Sequence, residues 1–171
     1  GVRIHAGSPA VRVARAGGGW RVDTPGGSVT AETLILATNA YTDGLWPGLK
    51  RSVVPTYSLQ VATQPLSERV RRSILPDGHV ASDTLRLLRY YQIDSGGRFV
   101  LGARGPFHDN VVVRDAGEQL RHIRQLYPQL EGVPFGHVWS GQVAMTADHL
   151  PHLHVLAPGA FAALGFNGRG V

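Results

Sequence analysis

The sequence contains no cysteine. Disulfides, thiolate zinc sites, iron–sulfur clusters, a thiol nucleophile and a cysteinyl cofactor linkage are therefore excluded within these residues. Lysine is nearly missing too. Lys50 stands alone, so sixteen of the seventeen basic residues are arginines, and twelve acidic residues leave a net charge of +5. A basic balance invites a nucleic-acid reading. The arginines, however, are scattered from Arg3 to Arg169, and their densest group is Arg69, Arg71 and Arg72. No helix carries a basic stripe and no basic run interleaves with aromatics, so no nucleic-acid partner is expected. No apolar run approaches the ~20 residues of a membrane helix, so no membrane association is expected. The metalloprotease H-E-x-x-H, the phosphate loop G-x-x-x-x-G-K and the hydrolase elbow G-x-S-x-G are all absent.

What is present is enough for a core. Of 171 residues, 43% are hydrophobic and 17% charged, which suits one domain or two small lobes. The chain starts at Gly1 without methionine or a signal-peptide pattern, and stops at Val171 inside a glycine-rich apolar stretch. These ends read as those of an internal piece of something longer, and a cytoplasmic location is expected.

Residues 1–40 read as strands. Val11, Val13, Trp20 and Val22 alternate with polar residues around Gly17-Gly18-Gly19, a hairpin signal, and a second turn follows at Pro25-Gly26-Gly27. Thr33 to Thr38 is a continuous apolar run, as in a strand buried on both faces. A strand is expected from Val53 to Thr63, and a short helix from a Ser67 cap to Ile74. Leu85 to Asp94, Ser95-Gly96-Gly97 and Arg98 to Ala103 read as a hairpin. Asp115 with Glu118 has the spacing of a capping box, opening a helix whose apolar positions are Leu120, Ile123, Leu126, Tyr127 and Leu130. Val138 to Met145 and Ala160 to Phe166 are later strands. Strands outnumber helices, so the expected fold class is α+β with mostly antiparallel sheet.

Three segments carry candidate chemistry. Gly165, Gly168 and Gly170 follow a strand, where glycine lets backbone approach a ligand; a flexible tail is the competing reading. The strand ending in Thr38-Asn39-Ala40 leaves room at its carboxyl end, where ligands of open α/β sheets gather. Asp148 with His149, His152 and His154 suggests metal ligands, although close histidines are often plain surface residues and no metal is expected.

The ordered set resembles the D-amino-acid-oxidase-type FAD-dependent oxidoreductases. It comprises Thr33-Leu34-Ile35-Leu36-Ala37-Thr38-Asn39-Ala40-Tyr41, Pro55 to Pro65, Tyr90-Tyr91 with Gly97-Arg98 and Gly102, and Trp139-Ser140-Gly141. Thr146-Ala147-Asp148-His149-Leu150-Pro151 and the tail Gly165-Phe166-Asn167-Gly168-Arg169-Gly170-Val171 complete it. The nearest flavour is the gamma-glutamylputrescine-oxidoreductase-like branch of the glycine and sarcosine oxidase group. The resemblance implies a two-domain enzyme that oxidises the C–N bond of an amine or amino acid by hydride transfer to flavin. It implies FAD binding by Thr38, Asn39, Ala40, Gly165, Phe166, Asn167, Gly168, Arg169 and Gly170. It implies substrate contacts from Tyr57, Gln60, Tyr91, Arg104 and Trp139, with no obligatory acid or base. The implied organisation is a partial FAD-binding lobe over 1–50, a substrate-binding antiparallel or mixed sheet with flanking helices over 51–138, and a return into the FAD lobe over 139–171. The G-x-G-x-x-G fingerprint for the FAD pyrophosphate is not among these residues, so the isolated chain is expected to be inactive and to hold no FAD tightly. Self-association is expected through exposed strand edges, either the Leu34–Leu36 strand or the Phe161–Phe166 strand. A non-catalytic α+β ligand- or protein-binding domain is the alternative.

Overall fold

In the computed structural model, which describes residues 1–86, 88–108 and 110–169, the apolar residues gather into two separate cores. Each belongs to its own unit. The first unit is Gly1–Pro55 with the segment from Val143 onward, and the second is Thr56–Gln142. The chain crosses between them within two strands.

The first unit begins with an antiparallel three-strand meander, β1 (Arg12–Ala16), β2 (Gly19–Thr24) and β3 (Gly27–Ala31), turning where the glycine clusters predict. A second sheet has the order β10-β11-β4, from His152–Ala157, Ala160–Leu164 and Leu34–Leu36. Its β4 runs parallel to β11, with Leu34 opposite Ala160 and Leu36 opposite Ala162, while β10 and β11 are antiparallel. Trp20, Leu34, Leu36, Ala144, Ala162 and Leu164 are buried together. Trp20 packs against Trp46 with ring centroids 5.4 Å apart, and the Arg15 guanidinium lies 4.2 Å from the Trp20 ring centroid.

Two expectations need correction here. The 33–38 run is not buried on both faces: Leu34 and Leu36 are buried, but Ile35 is 65% exposed. Side-chain alternation sends Ile35 to the face away from the meander, where no described residue covers it. The Phe161–Phe166 strand offers no edge either, because β11 lies in the middle of its sheet; the edges are β4 and β10. The strand β10 was itself missed, as its alternation of histidine with Leu153 and Val155 reads as neither a strand core nor a turn.

The second unit is a five-stranded sheet in the order β6-β7-β8-β5-β9. These are Ala81–Ser82, Tyr90–Ile93, Phe99–Arg104, Val54–Thr63 and Phe135–Met145. Odd-numbered residues of β5 and β8, Leu59, Val61, Phe99 and Leu101, point into the core with Ile123 and Leu130. Two helices accompany the sheet, α1 (Glu68–Ile74) and α2 (Gly117–Leu126). Ser67 holds the cap position of α1 but makes no side-chain cap bond. Asp115 works backwards, accepting from the Val112 amide at 2.8 Å, while Glu118 lies 3.6 Å from Arg89. The predicted strand over 85–94 is shorter, since β7 starts only at Tyr90. The Asp83 carboxylate explains it by accepting from the Leu85 and Arg89 amides and from the Arg89 guanidinium at 3.1–3.2 Å, which holds Leu85 and Arg89 out of the strand. Burial raises the Asp83 pKa, but these bonds outweigh it and hold the group below the ordinary carboxylate value. Among the described residues, no helix is long and apolar enough to cross a membrane.

Candidate functional site

Parallel pairing sends the ends of β4 and β11 in the same direction, so the residues after both strands emerge side by side. After β4, a single tight turn covers Asn39–Tyr41. Asn39 sits at φ +46°, a left-handed conformation that asparagine accepts more readily than most residues. Its Oδ1 accepts from the Gly165 amide at 3.1 Å, and its carbonyl accepts from the Thr42 hydroxyl at 2.7 Å, with Thr38 Oγ1 2.7 Å from the same hydroxyl. The structure thus brings Thr38, Asn39 and Ala40 beside the glycine loop. These two segments were separate candidates in the sequence.

Within that loop Asn167 is the organiser. Its Oδ1 accepts from the Thr146 amide at 2.9 Å, its Nδ2 donates to Thr146 Oγ1 at 3.0 Å and to the Gly165 carbonyl, and its own amide donates to Ala144 at 3.0 Å. The loop closes with Arg169 N on the Phe166 carbonyl at 2.9 Å. Thr146, only 6% exposed, was not singled out as a site residue. Its place in the T-x-D-x-x-P motif was the signal available for it.

The two described loop glycines have different reasons to be glycine. At Gly165, φ is +74° and a Cβ would stand 2.2 Å from Thr146 Cγ2, so its own protein forbids a side chain. At Gly168, φ is +72° but a Cβ would meet only Val143 Cγ1, at an ordinary 3.5 Å. Gly168 and Arg169 are exposed. The flank of Gly168 is therefore open backbone beyond the carboxyl end of a parallel strand pair. That geometry fits a flat ring or an oxyanion approaching the loop. Gly170 lies outside the described residues.

The histidine segment is organised by Asp148. Its Oδ1 accepts from the Leu150 amide at 3.0 Å, and His152 Nε2 lies 2.9 Å from Oδ2. The Leu150 bond first, and then His152, hold the Asp148 carboxyl down to about 2. Among the described residues, no three metal-ligating side chains converge.

In the second unit the sheet has one face in the core and one open. The open face carries Ser58, Gln60, Gly102 and Arg104, paired in register, with Tyr90 opposite Gly102. The Tyr90 hydroxyl lies 2.9 Å from Ser58 Oγ and accepts from Gln60 Nε2 at 3.5 Å. Its ring lies across Gly102, where a Cβ would come within 2.1 Å. Trp139, 44% exposed, alternates with core-packed Val138 and so belongs to the open face. Arg104 stacks 5.0 Å over Phe107.

Two of the five substrate candidates lie elsewhere. Tyr91 is 8% exposed and faces the core, stacked at 5.8 Å on Phe99 and edge-on to Tyr127. Burial, with a bond to Tyr91 second, pushes the Tyr127 phenol up to about 12. A tyrosine pair on a strand must place one ring on each side, and the open side takes Tyr90, not Tyr91. Tyr57 shares the side of Leu59, its hydroxyl accepting from Gln142 Nε2 at 3.1 Å.

Comparison with known proteins adds the family. The profile described as "DAO: FAD dependent oxidoreductase" matches residues 1–171. The chain belongs to the DAO family of FAD-dependent oxidoreductases. This DAO chain is 31% identical over its whole length to a probable oxidoreductase OrdL of Haemophilus influenzae, covering 40% of that protein. It is 32% identical to the gamma-glutamylputrescine oxidoreductase of Escherichia coli, over 88% of this chain and 35% of the relative. Among solved structures, glycine oxidase from Geobacillus kaustophilus aligns with a TM-score of 0.72 at 26% identity, over 94% of this chain and 44% of that one. Amadoriase I from Aspergillus fumigatus, at 18% identity and a TM-score of 0.72 over 94% and 41%, shares the fold. The DAO chain thus spans about two-fifths of the length of the curated relatives it matches.

Two outcomes follow for the DAO loop. Gly165→Ala should destabilise the chain by about 2–4 kcal/mol in urea denaturation, from a left-handed alanine plus overpacking. Adding Thr146→Ser, which removes the colliding methyl and keeps the hydroxyl, should return part of that loss; no recovery would mean that the clash is not with Thr146. The second concerns acid. Asp148 has a folded pKa below its ordinary 3.8, so its stabilising effect is complete above that value and disappears as pH falls towards 2. A carboxylate NMR titration should place its midpoint near 2, and that low-pH step should vanish from the titration of Asp148→Asn.

Proposed function

We propose that this chain serves an FAD-dependent oxidoreductase that oxidises the C–N bond of a small amine or amino acid. The carrying observation is the open flank of Gly168 at the carboxyl ends of a parallel strand pair, in a chain matched throughout by the FAD-dependent family. The names of the Escherichia coli relative and the Geobacillus kaustophilus neighbour support an amine or amino-acid substrate. FAD, when bound, supplies the two-electron acceptor.

In this reading the first unit is the cofactor-binding part and the second the substrate-binding part. Thr38, Asn39, Ala40, Gly165, Phe166, Asn167, Gly168 and Arg169 hold the cofactor. Asn39 and Asn167 would act by fixing the loop, Gly168 by leaving room, and the exposed Arg169 by placing positive charge near the cofactor. On the open face of the second unit, Gln60, Arg104 and Trp139 bind substrate, joined by Tyr90 and Ser58. Tyr90, on the open side, serves in place of the buried Tyr91. These side chains orient an amine by hydrogen bonds and aromatic surface, and no acid or base is required of them.

Gly168→Asn and Gly168→Val test the cofactor assignment in the protein carried at the relatives' full length. Asparagine accepts φ +72°, so Gly168→Asn should unfold at the same temperature as the flavin-free parent protein yet abolish flavin absorbance in the purified protein. Gly168→Val should lose flavin and stability together. A yellow Gly168→Asn protein with unaltered turnover would remove the loop from the cofactor site.

We also propose that the isolated chain self-associates with a second copy. The supporting observations are the one-sided pairing of β4 and the apolar row Val155, Phe161 and Ile35, 77%, 40% and 65% exposed and directly opposite one another across the sheet. An uncharged edge beside an apolar face is the arrangement that recruits another strand. Sedimentation at roughly tens of micromolar should show dimers or larger species, and Ile35→Lys should return them to monomer.

A further inference from the structure

The glycine loop is held from outside as well as from within. Its organiser Asn167 bonds to Thr146, and Thr146 Oγ1 in turn donates to the Leu150 carbonyl at 2.9 Å. The same residue's amide donates to Asp148 Oδ1 at 3.0 Å, and the two Asp148 oxygens lie 3.0 and 2.9 Å from His152 Nε2. A turn from the Thr146 carbonyl to the His149 amide at 3.3 Å closes the segment, with His149 at φ +59°. His152 is also the first residue of β10, and its register partner in β11 is Leu164, the residue immediately before Gly165. The imidazole therefore fastens the turn that carries Thr146 to the strand rung from which the loop departs. Two separate routes lead from His152 to Gly165, one through hydrogen bonds and one through the sheet.

We propose that His152 is a positioning residue: paired with Asp148, it clasps the Thr146–Leu150 turn against β10 and so sets the conformation of the loop from Gly165 to Arg169. The consequence for flavin retention rests on the function proposed above; the clasp itself does not. The side chains of Asp148 and His152 are 49% and 39% exposed, so the pair is worth little as a contributor to global stability. What it contributes is local. It selects one arrangement of a turn whose other fastenings are single hydrogen bonds, and loss of it loosens that turn without unfolding either strand.

Amide hydrogen exchange on the 171-residue chain reads this directly. The reporters are the amides of Thr146, Leu150, Gly165 and Asn167, each of which donates one of the bonds above. His152→Ala should speed their exchange by about threefold, the scale of an exposed pair. Asp148→Ala, which also frees the Leu150 amide, should speed it by roughly tenfold. His152→Gln, which retains a side-chain donor, should restore most of the protection, which a loss of mere bulk would not explain. The Phe99 amide in the second unit, bonded to Thr63 at 3.0 Å, should not change in any variant. Unchanged exchange at all four reporters in His152→Ala would overturn the clasp. Flavin titration of the full-length protein separates the two claims. Weaker FAD affinity with unchanged turnover at saturating FAD supports both, whereas a loosened loop with unaltered affinity upholds the clasp and removes the loop from the cofactor site.

Discussion

A hydrogen bond between the Asn39 side chain and the Gly165 amide joins residues 126 positions apart, and the loops around it depend on that contact. It exists because β4 and β11 are parallel. Parallel strands cannot be joined by a hairpin and need a long connection; here that connection includes the whole second unit. The reward is that two chain segments leave the sheet in one direction and can share partners. Asparagine suits the contact twice over, since it tolerates the left-handed backbone and presents an acceptor to an amide that the sheet leaves unpaired.

Around this bond the polar groups are closely matched. Asn167 uses both of its amide atoms and its backbone amide, and Thr146 both donates and accepts. Removing one member leaves a half-buried donor or acceptor facing nothing, which costs more than the bond itself contributes. The loop is therefore firm where it touches protein and open only along Gly168. That division explains why two glycines with nearly equal φ differ in what surrounds them.

Much of the fold could be read from the sequence wherever the signal was local. The glycine turns of the meander, the Val53–Thr63 strand and the spacing of Leu120, Ile123 and Leu130 need only near neighbours, and they were readable. The failures involve partners that residue type and periodicity do not announce. Ile35 looked buried because an apolar run does not reveal which face remains uncovered. The 85–94 strand was drawn too long because Asp83 captures amides two and six residues ahead, which residue type alone does not announce. At the site, the two halves of the loop constellation were each visible, but nothing in the sequence said that Asn39 reaches Gly165. The Tyr90-Tyr91 pair was legible as a site feature; deciding which ring faces out required the register with Gly102.

That register has an evolutionary side. The Tyr90 ring occupies the volume that any side chain at 102 would need, so the two positions cannot drift independently. A methyl group at 102 obliges the Tyr90 ring to swing off the strand, and so carries its hydroxyl away from Ser58 and Gln60. The smallest residue on the open face thereby acts as a ratchet: while the Tyr90 ring keeps its place beside Ser58 and Gln60, position 102 is held to glycine.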